Sequence, residues 1–223
     1  MRRVSGRLFT WGIVAVFLSG LAGCQGTSGS HQKVMLFNGK DLSGWKPFAS
    51  DSDIAAEQIW SVRGGVIYCT GQRNGYLRTE RKYGNYRLHV EWRWPGEPSN
   101  SGVLLHASGR DKVWPRCIEC QLKAGSAGDI VLMNGAGLTA DGRNWQDPSK
   151  QFVVIRKKES SNEKPAGQWN AYDIQCEKDT IRCSVNGVLQ NEGTGATATA
   201  GWICLQSEGG PIEFRNIYIE PLD

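Results

Sequence analysis

The feature that most constrains the fold is a two-residue alternation of apolar and polar side chains in short segments. In Asn85–Trp94, aromatic and aliphatic side chains occupy every second position, as expected of a strand with one buried face. The polar positions between them are Arg87, His89, Glu91 and Arg93. No stretch shows a sustained 3.6-residue period of helical length. The pattern therefore predicts antiparallel β-sheets.

Similar segments recur along the chain, separated by turn residues, and 28 glycines are consistent with many turns. The predicted strands are Ile59–Val62, Val66–Cys69, Tyr76–Thr79, Asn85–Trp94, Gly102–Ala107, Cys117–Leu122, Asp129–Met133, Phe152–Arg156, Asn170–Cys176, Ile181–Val185, Trp202–Gln206 and Ile212–Ile219. Many short strands at regular spacing predict one all-β domain over residues 34–223, a jelly-roll sandwich of two antiparallel sheets.

The first residues have the layout of a secretory signal. Arg2, Arg3 and Arg7 precede an apolar run, Leu8–Leu18, which is short for a membrane span. The segment ends in Leu21–Cys24, which resembles a bacterial lipobox. We therefore expect residues 1–23 to be a lipoprotein signal peptide. The alternative is an ordinary signal peptide with an incidental cysteine.

A lipobox implies acylation of Cys24, for example with palmitate, and anchoring to a membrane by lipid alone. Residues 24–33 are polar and rich in glycine and serine, which is typical of a flexible tether. Gln25 at the position after the cysteine resembles outer-membrane sorting in Gram-negative bacteria. The expected location is the outer membrane, facing the periplasm or the cell surface.

The net charge argues against nucleic acid as a partner. The whole chain has 26 basic and 22 acidic residues, which gives +4. Without Arg2, Arg3 and Arg7, 23 basic residues remain against 22 acidic ones, about +1. No basic stripe is visible in the sequence.

Six cysteines follow Cys24, and an oxidising compartment would permit disulfides. Cys117 and Cys120 are three positions apart in a predicted strand, so their side chains should point to opposite faces. Cys176 and Cys183 flank a tight turn and could face each other. The interpretation that we favour is buried free thiols for all six cysteines, which also include Cys69 and Cys204.

Several polar residues fall where neighbouring strands would bring them together. If the strands are adjacent in a curved sheet, its concave side would hold Glu91, His106, Glu119 and Gln121. A concave polar face flanked by aromatic rings suits a sugar, because rings stack on C–H faces and polar groups bind hydroxyls.

Each candidate also has an ordinary structural interpretation. Glu91, Arg93 and Glu119 could be solvated strand residues, and His106 a half-buried histidine. Asp129 could be a turn acid, and Arg215 a structural ion-pair partner. The sequence has no phosphate-binding loop, no HExxH motif and no GxSxG motif.

A series of short motifs, spread over residues 34–223, resembles the 3-keto-disaccharide hydrolase domain family. The motifs are Leu36–Trp45, Trp60–Val62, Gly64–Ile67, Gly75–Thr79, Tyr86–Arg93, Asn100–Val103, Ile118–Gln121, Trp169–Tyr172, Asn186–Gly187, Gly201–Gln206 and Ile212–Ile217. The resemblance implies a concanavalin-like, glucanase-like jelly roll that cleaves glycosides whose sugar is oxidised at C3. One departure concerns the acid-rich stretch of the family after Gln121, which here reads Leu122–Gly125.

The implied reaction starts from the acidity that a C3 ketone gives the C2 proton. A base removes that proton, and the enolate expels the C1 substituent, by elimination or with later addition of water. We expect His106 or Glu91 as the base and Glu119 as a second acid/base or a metal ligand. Expected sugar contacts are Asn100, Gln121, Arg93 and Gln206.

A single divalent ion held by Glu91, His106 and Glu119 could polarise the ketone, although no cofactor is certain. An exported sugar-oxidising enzyme is an expected partner, because it would supply the keto sugar. Two alternatives remain open from sequence: a non-catalytic carbohydrate-binding module of the cell envelope, and a conventional endo-glucanase.

Overall fold

The computed structural model describes residues 32–50 and 54–223, together with Met1. The predicted signal peptide, Cys24 and most of the predicted tether lie outside the described residues. Within the described part of the chain, no helix is long and apolar enough to cross a membrane.

Eight strands form one antiparallel sheet, which we call sheet A. Its members are β1 (Val34–Met35), β3 (Trp60–Arg63), β4 (Val66–Cys69), β6 (Tyr86–Arg93), β13 (Asn170–Glu177), β14 (Thr180–Val185), β15 (Val188–Gly193) and β17 (Ile212–Pro221). The spatial order is β15-β14-β13-β6-β17-β4-β3, and β1 also pairs with β17.

Seven strands form a second antiparallel sheet, sheet B. Its members are β2 (Trp45–Ala49), β5 (Gly75–Thr79), β7 (Gly102–Ser108), β8 (Arg116–Gln121), β9 (Ile130–Met133), β12 (Phe152–Ile155) and β16 (Trp202–Ser207). The spatial order is β12-β9-β8-β7-β16-β5-β2. A small hairpin of β10 (Thr139–Ala140) and β11 (Arg143–Asn144) and one helical turn, α1 (Ala56–Ile59), complete the described elements. The predicted all-β fold with two antiparallel sheets is confirmed.

One apolar layer joins the two sheets. From sheet A it receives the alternating side chains of β6, including Leu88, Val90 and Trp92. From sheet B it receives residues such as Leu105 and Ile118. All of these side chains are at most 1% exposed. The apolar positions of the alternating pattern therefore form the core between the sheets.

A β-bulge in β7 breaks the predicted alternation. The pairing of β7 with β8 shifts register between Leu105 and Ser108, and His106 has a φ of 55°. The extra residue turns His106 toward the layer between the sheets, where its ring meets that of Tyr86 edge-on at 5.5 Å. The expectation that His106 lies on the same face as Glu119 and Gln121 was therefore wrong.

A second bulge lies in β17, where the register shifts between Arg215 and Tyr218 and Asn216 has a φ of 49°. Before the bulge, Ile212 and Phe214 face the core; after it, Ile217 and Ile219 do. Simple alternation predicts one face for the whole strand and misses this switch.

Substitutions of two phenylalanines test whether the layer between the sheets is the core that stabilises the fold. Phe214 is fully buried between the sheets, whereas Phe152 on the edge strand β12 is 40% exposed. We expect Phe214→Ala to lower the free energy of unfolding by about 3–5 kcal/mol. The matched control Phe152→Ala should cost less than about 1.5 kcal/mol. Urea denaturation of both variants measures the difference, and equal costs would contradict the assigned core.

Candidate functional site

The outer face of sheet B, which points away from sheet A, is the unusual surface of this protein. Outer faces of antiparallel sheets are commonly solvated, yet β5, β7, β8, β9 and β16 are buried on both sides. A second apolar cluster lies on this outer face and includes Leu104, Val131 and Cys204. Polar side chains on this face are therefore held in an environment of low polarity.

Glu119 is the most perturbed acid on this face. It lies on β8 opposite Leu104 and beside Val131, and it is 2% exposed. Burial, with the charge of Glu208 as a lesser cause, raises the pKa of Glu119 well above its ordinary value of 4.5. Because burial favours the protonated form, the carboxyl group of Glu119 is suited to donate a proton.

Glycine at position 102 makes room for this carboxyl group. A Cβ atom added to Gly102 would lie 1.9 Å from Oε1 of Glu119. Gly102 lies on β7 directly opposite Gln121 of β8. The Asn100–Val103 motif thus has a steric function, because its glycine lets the Glu119 side chain lie across the neighbouring strand.

Three buried oxygen acceptors near this position have no hydrogen-bond donor among the described residues. They are Oε1 of Glu119, Oε1 of Gln206 and Oδ1 of Asn100. The register of β16 brings them to one region, since Val103 pairs with Leu205 and Asn100 bridges to Glu208. Buried acceptors without donors are costly, and hydroxyl groups of a ligand would satisfy them.

Glu208 is a site residue that sequence reasoning missed. It follows β16, its side chain hydrogen-bonds Asn100, and its charge acts on Glu119. Partial burial raises the pKa of Glu208, while the bond from Asn100 and the charge of Lys123 oppose that rise. Glu208 lies beyond the predicted strand Trp202–Gln206 and was therefore not considered. Continuing the alternation of that strand past Gln206 would have placed position 208 on the same face as Gln206.

Gln121 lies at the end of β8 on the same face as Glu119, as the sequence predicted. Its Oε1 accepts the backbone N–H groups of Leu122 and Lys123 at 3.0 and 2.9 Å. With both lone pairs of that oxygen used, the amide NH₂ group is the part of Gln121 suited to a sugar hydroxyl.

The other end of the outer face carries aromatic and charged groups. Asp111, in the loop between β7 and β8, accepts hydrogen bonds from the Tyr76 hydroxyl at 2.9 Å and from Arg78 Nε at 3.0 Å. The Arg78 guanidinium lies 4.3 Å from the centre of the Trp202 ring. Tyr76 and Arg78 lie on β5, and β16 separates β5 from β7. Their bonds to Asp111 therefore hold the loop between β7 and β8 over the sheet.

His106 does not join Glu119, contrary to expectation. Its Nδ1 lies 2.8 Å from the carbonyl oxygen of Ala198, so this nitrogen carries a proton and donates it. Burial lowers the pKa of His106, which keeps the ring neutral. The bulge described above places the ring between the sheets, away from the outer face of sheet B. The structure supports a buried structural histidine.

Glu91 and Arg93 lie on the outer face of sheet A, on the opposite side of the sandwich from Glu119. Glu91 accepts hydrogen bonds from Arg215 Nε at 2.6 Å and from Asn216 Nδ2 at 2.7 Å. Partial burial opposes them, but these bonds lower the pKa of Glu91, which makes it a weak base. The expected convergence of Glu91 with Glu119 was therefore wrong.

The neighbours of Glu91 form a structural network. Arg93 pairs with Glu213, and both Arg93 and Arg215 lie over the Trp169 ring, 4.6 and 4.0 Å from its centre. The interpretation of Arg215 as an ion-pair partner fits this geometry. Asp129 is likewise bound to Arg156 at 2.8 Å and to the backbone of Lys157.

A metal ion shared by Glu91, His106 and Glu119 does not fit the structure, because the three side chains lie in three different layers. Among the described residues, no group of three or more His, Cys, Asp or Glu side chains is arranged to hold a metal.

Comparison with known proteins identifies the family. The sequence model of the 3-keto-alpha-glucoside-1,2-lyase-like domain matches residues 32–220. The chain belongs to this family. A curated relative, the 3-keto-disaccharide hydrolase of Bacteroides thetaiotaomicron, is 22% identical over 239 aligned positions, which cover 85% of this chain and 78% of the relative.

Solved structures agree on the fold. A candidate glycosyl hydrolase from Parabacteroides distasonis has a TM-score of 0.64 at 23% identity, covering 86% of this chain and 94% of its own. The β-glucanase of Bacillus licheniformis has a TM-score of 0.55 at 13% identity, covering 88% and 100%. The fold is thus a glucanase-like jelly roll, as predicted; at these identities the likeness speaks for the fold alone.

The raised pKa of Glu119 predicts a pH-dependent stability difference. Because the folded state binds the proton more tightly than the unfolded state, the Glu119 contribution to stability is greatest below pH 4.5 and is lost as pH rises toward the folded pKa. Glu119→Gln removes this loss. We expect the variant to gain stability relative to the native protein as pH rises from 4 to 8, measured by urea denaturation. A pH-independent difference would contradict the assignment.

Gly102→Ala tests whether this glycine is needed to accommodate the carboxyl group of Glu119. The new methyl group must displace Glu119, whose Oε1 would be 1.9 Å away. We expect the pH dependence attributed to Glu119 to shrink while the chain still folds. Gly187→Ala is unsuitable as a control because Gly187 has a φ of 82°, whereas Gly96, with open space around its Cβ position, is a matched control. Equal behaviour of the two variants would refute the steric function of Gly102.

Proposed function

We propose that this protein cleaves glycosides whose sugar is oxidised at C3, and that the reaction takes place on the outer face of sheet B. The observation that carries the proposal is the buried carboxyl group of Glu119, which lies near acceptors that lack donors within the described part of the chain. Family membership supports the reaction class, and the geometry supports the place.

Elimination from a 3-keto sugar needs a base at C2 and an acid near the C1 oxygen. The C2 proton leaves to the base, the C1–C2 double bond forms, and the C1–O bond breaks as the leaving oxygen takes a proton. Addition of water to the unsaturated sugar then gives net hydrolysis. A pair of groups with different pKa values can perform both proton transfers.

Glu119 and Glu208 are the pair that we assign to these transfers. Glu119 is the more deeply buried, and its raised pKa favours the protonated form, which suits the acid near the leaving oxygen. Partial burial raises the pKa of Glu208 against the opposing effects of Asn100 and Lys123, and a carboxylate with a raised pKa is a stronger base. The charge of Glu208 also helps to keep Glu119 protonated.

The side-chain amides around Glu119 and Glu208 would bind the sugar. Oε1 of Gln206 and Oδ1 of Asn100 would accept hydroxyl protons, and the NH₂ group of Gln121 would donate to a hydroxyl or carbonyl oxygen. The indole of Trp202, held in place by Arg78, lies on a neighbouring part of the face and offers a surface for a second sugar ring.

The activity assay compares a 3-keto-disaccharide with its unoxidised parent, with and without chelator. We expect cleavage of the keto sugar alone. Glu119→Gln and Glu208→Gln should each lower turnover by about two to four powers of ten. Glu91→Gln is the matched control: it removes a carboxylate on the opposite side of the sandwich and should leave turnover within about twofold.

Other outcomes separate the alternatives. Cleavage of the parent sugar would favour a conventional endo-glucanase, and saturable binding without product would favour a carbohydrate-binding module. Loss of turnover in Glu91→Gln with full activity in Glu119→Gln would move the reaction to sheet A. Inhibition by chelator would require a metal site other than the three-residue set expected from sequence.

We further propose that the protein works as an outer-membrane lipoprotein anchored through Cys24, with the keto sugar supplied by an exported sugar-oxidising enzyme. The lipobox-like Leu21–Cys24 supports the anchor. Incorporation of labelled palmitate should be lost in Cys24→Ala, and retention of the label would contradict the anchor.

A further inference from the structure

Two cysteine sulfur atoms meet across the layer between the sheets. Sγ of Cys120 lies 2.8 Å from Sγ of Cys183, and both residues are fully buried. Cys120 belongs to β8 of sheet B, and Cys183 to β14 of sheet A. The two atoms are closer than van der Waals contact between sulfur atoms allows.

The local backbone favours this approach. Cys120 faces the core because it alternates with Glu119 and Gln121, and Cys183 faces the core because it pairs with Ile174 of β13. The pairing of β14 with β15 shifts register between Cys183 and Ser184. Facing strands in opposite sheets can be joined by a disulfide when their side chains point at each other, as these do.

We propose that Cys120 and Cys183 form an inter-sheet disulfide when the protein folds in an oxidising compartment. The two thiols lose two protons and two electrons and form one S–S bond. The electrons pass to the disulfide of a thiol–disulfide oxidoreductase, which becomes a dithiol. The bond forms during folding, before the core closes, since neither sulfur is accessible afterwards.

The remaining cysteines are less well placed. Cys176 pairs with Ile181 and is therefore offset from Cys183 along the neighbouring strand. Cys117 and Cys204 both lie on the outer face of sheet B, but β7 separates their strands. The structure therefore favours a pairing of Cys120 with Cys183 over the pairing of Cys176 with Cys183 that the sequence allowed.

This disulfide would add a covalent link between two sheets that pack mainly through apolar side chains, with a buried hydrogen bond from Asn191 of β15 to the Ile155 carbonyl of β12. It would close a loop between residues 63 positions apart, which restricts the unfolded chain strongly. We expect the midpoint of thermal unfolding to fall by about 10 °C when the bond is reduced.

The test is a thiol count on the full-length protein isolated from the envelope of an expressing bacterium. The protein is denatured without reductant, alkylated and weighed. Of the six cysteines after Cys24, four should be alkylated and two protected. Tryptic peptides Cys117–Lys123 and Cys183–Arg215 should be joined, and because each contains a second cysteine, fragment spectra must locate the link.

Variants make the assignment specific. Cys120→Ala and Cys183→Ala should each abolish the protection, whereas the control Cys176→Ala should leave it unchanged. Reduction of the native protein should lower the midpoint of thermal unfolding by about 10 °C. This measurement tests the disulfide even if a variant fails to fold. Six alkylated cysteines in envelope-derived protein, or a link that includes Cys176, would overturn the proposal.

Discussion

The structure depends on the fact that sheet B is buried on both faces. Its inner face packs against sheet A, and its outer face carries a second apolar cluster. A polar residue on that outer face is consequently dehydrated without belonging to the main core. This double burial gives Glu119 its raised pKa, and the same residue type on the outer face of sheet A, Glu91, has a lowered pKa.

The two sheets thus have different roles. Sheet A offers a solvated outer face on which Arg215 pairs with Glu91 and Arg93 pairs with Glu213, with both arginines over the Trp169 ring. Sheet B offers a dehydrated face on which acceptors remain without donors among the described residues. Satisfied ion pairs stabilise a surface, whereas unsatisfied buried acceptors select a ligand that brings donors, and a sugar is rich in hydroxyl donors.

Much of the fold follows from the sequence, because period-two alternation reports strand faces directly. Alternation placed Glu119 and Gln121 together, and Cys117 and Cys120 apart, as observed. It failed where one extra residue enters a strand: the bulges at His106 and Asn216 have no clear sequence signal. Sequence also could not assign strands to sheets, so Glu91 and Glu119 were expected on one surface although their strands lie in different sheets.

The central claim is that Glu119 sits dehydrated and protonated on a ligand-binding face. The most direct measurement is a carbon-13 NMR titration of its carboxyl carbon, assigned by comparison with Glu119→Gln. The account predicts a titration midpoint well above 4.5, shifted further when a 3-keto-disaccharide analogue binds. A midpoint at or below 4.5, unaffected by the sugar, would contradict it.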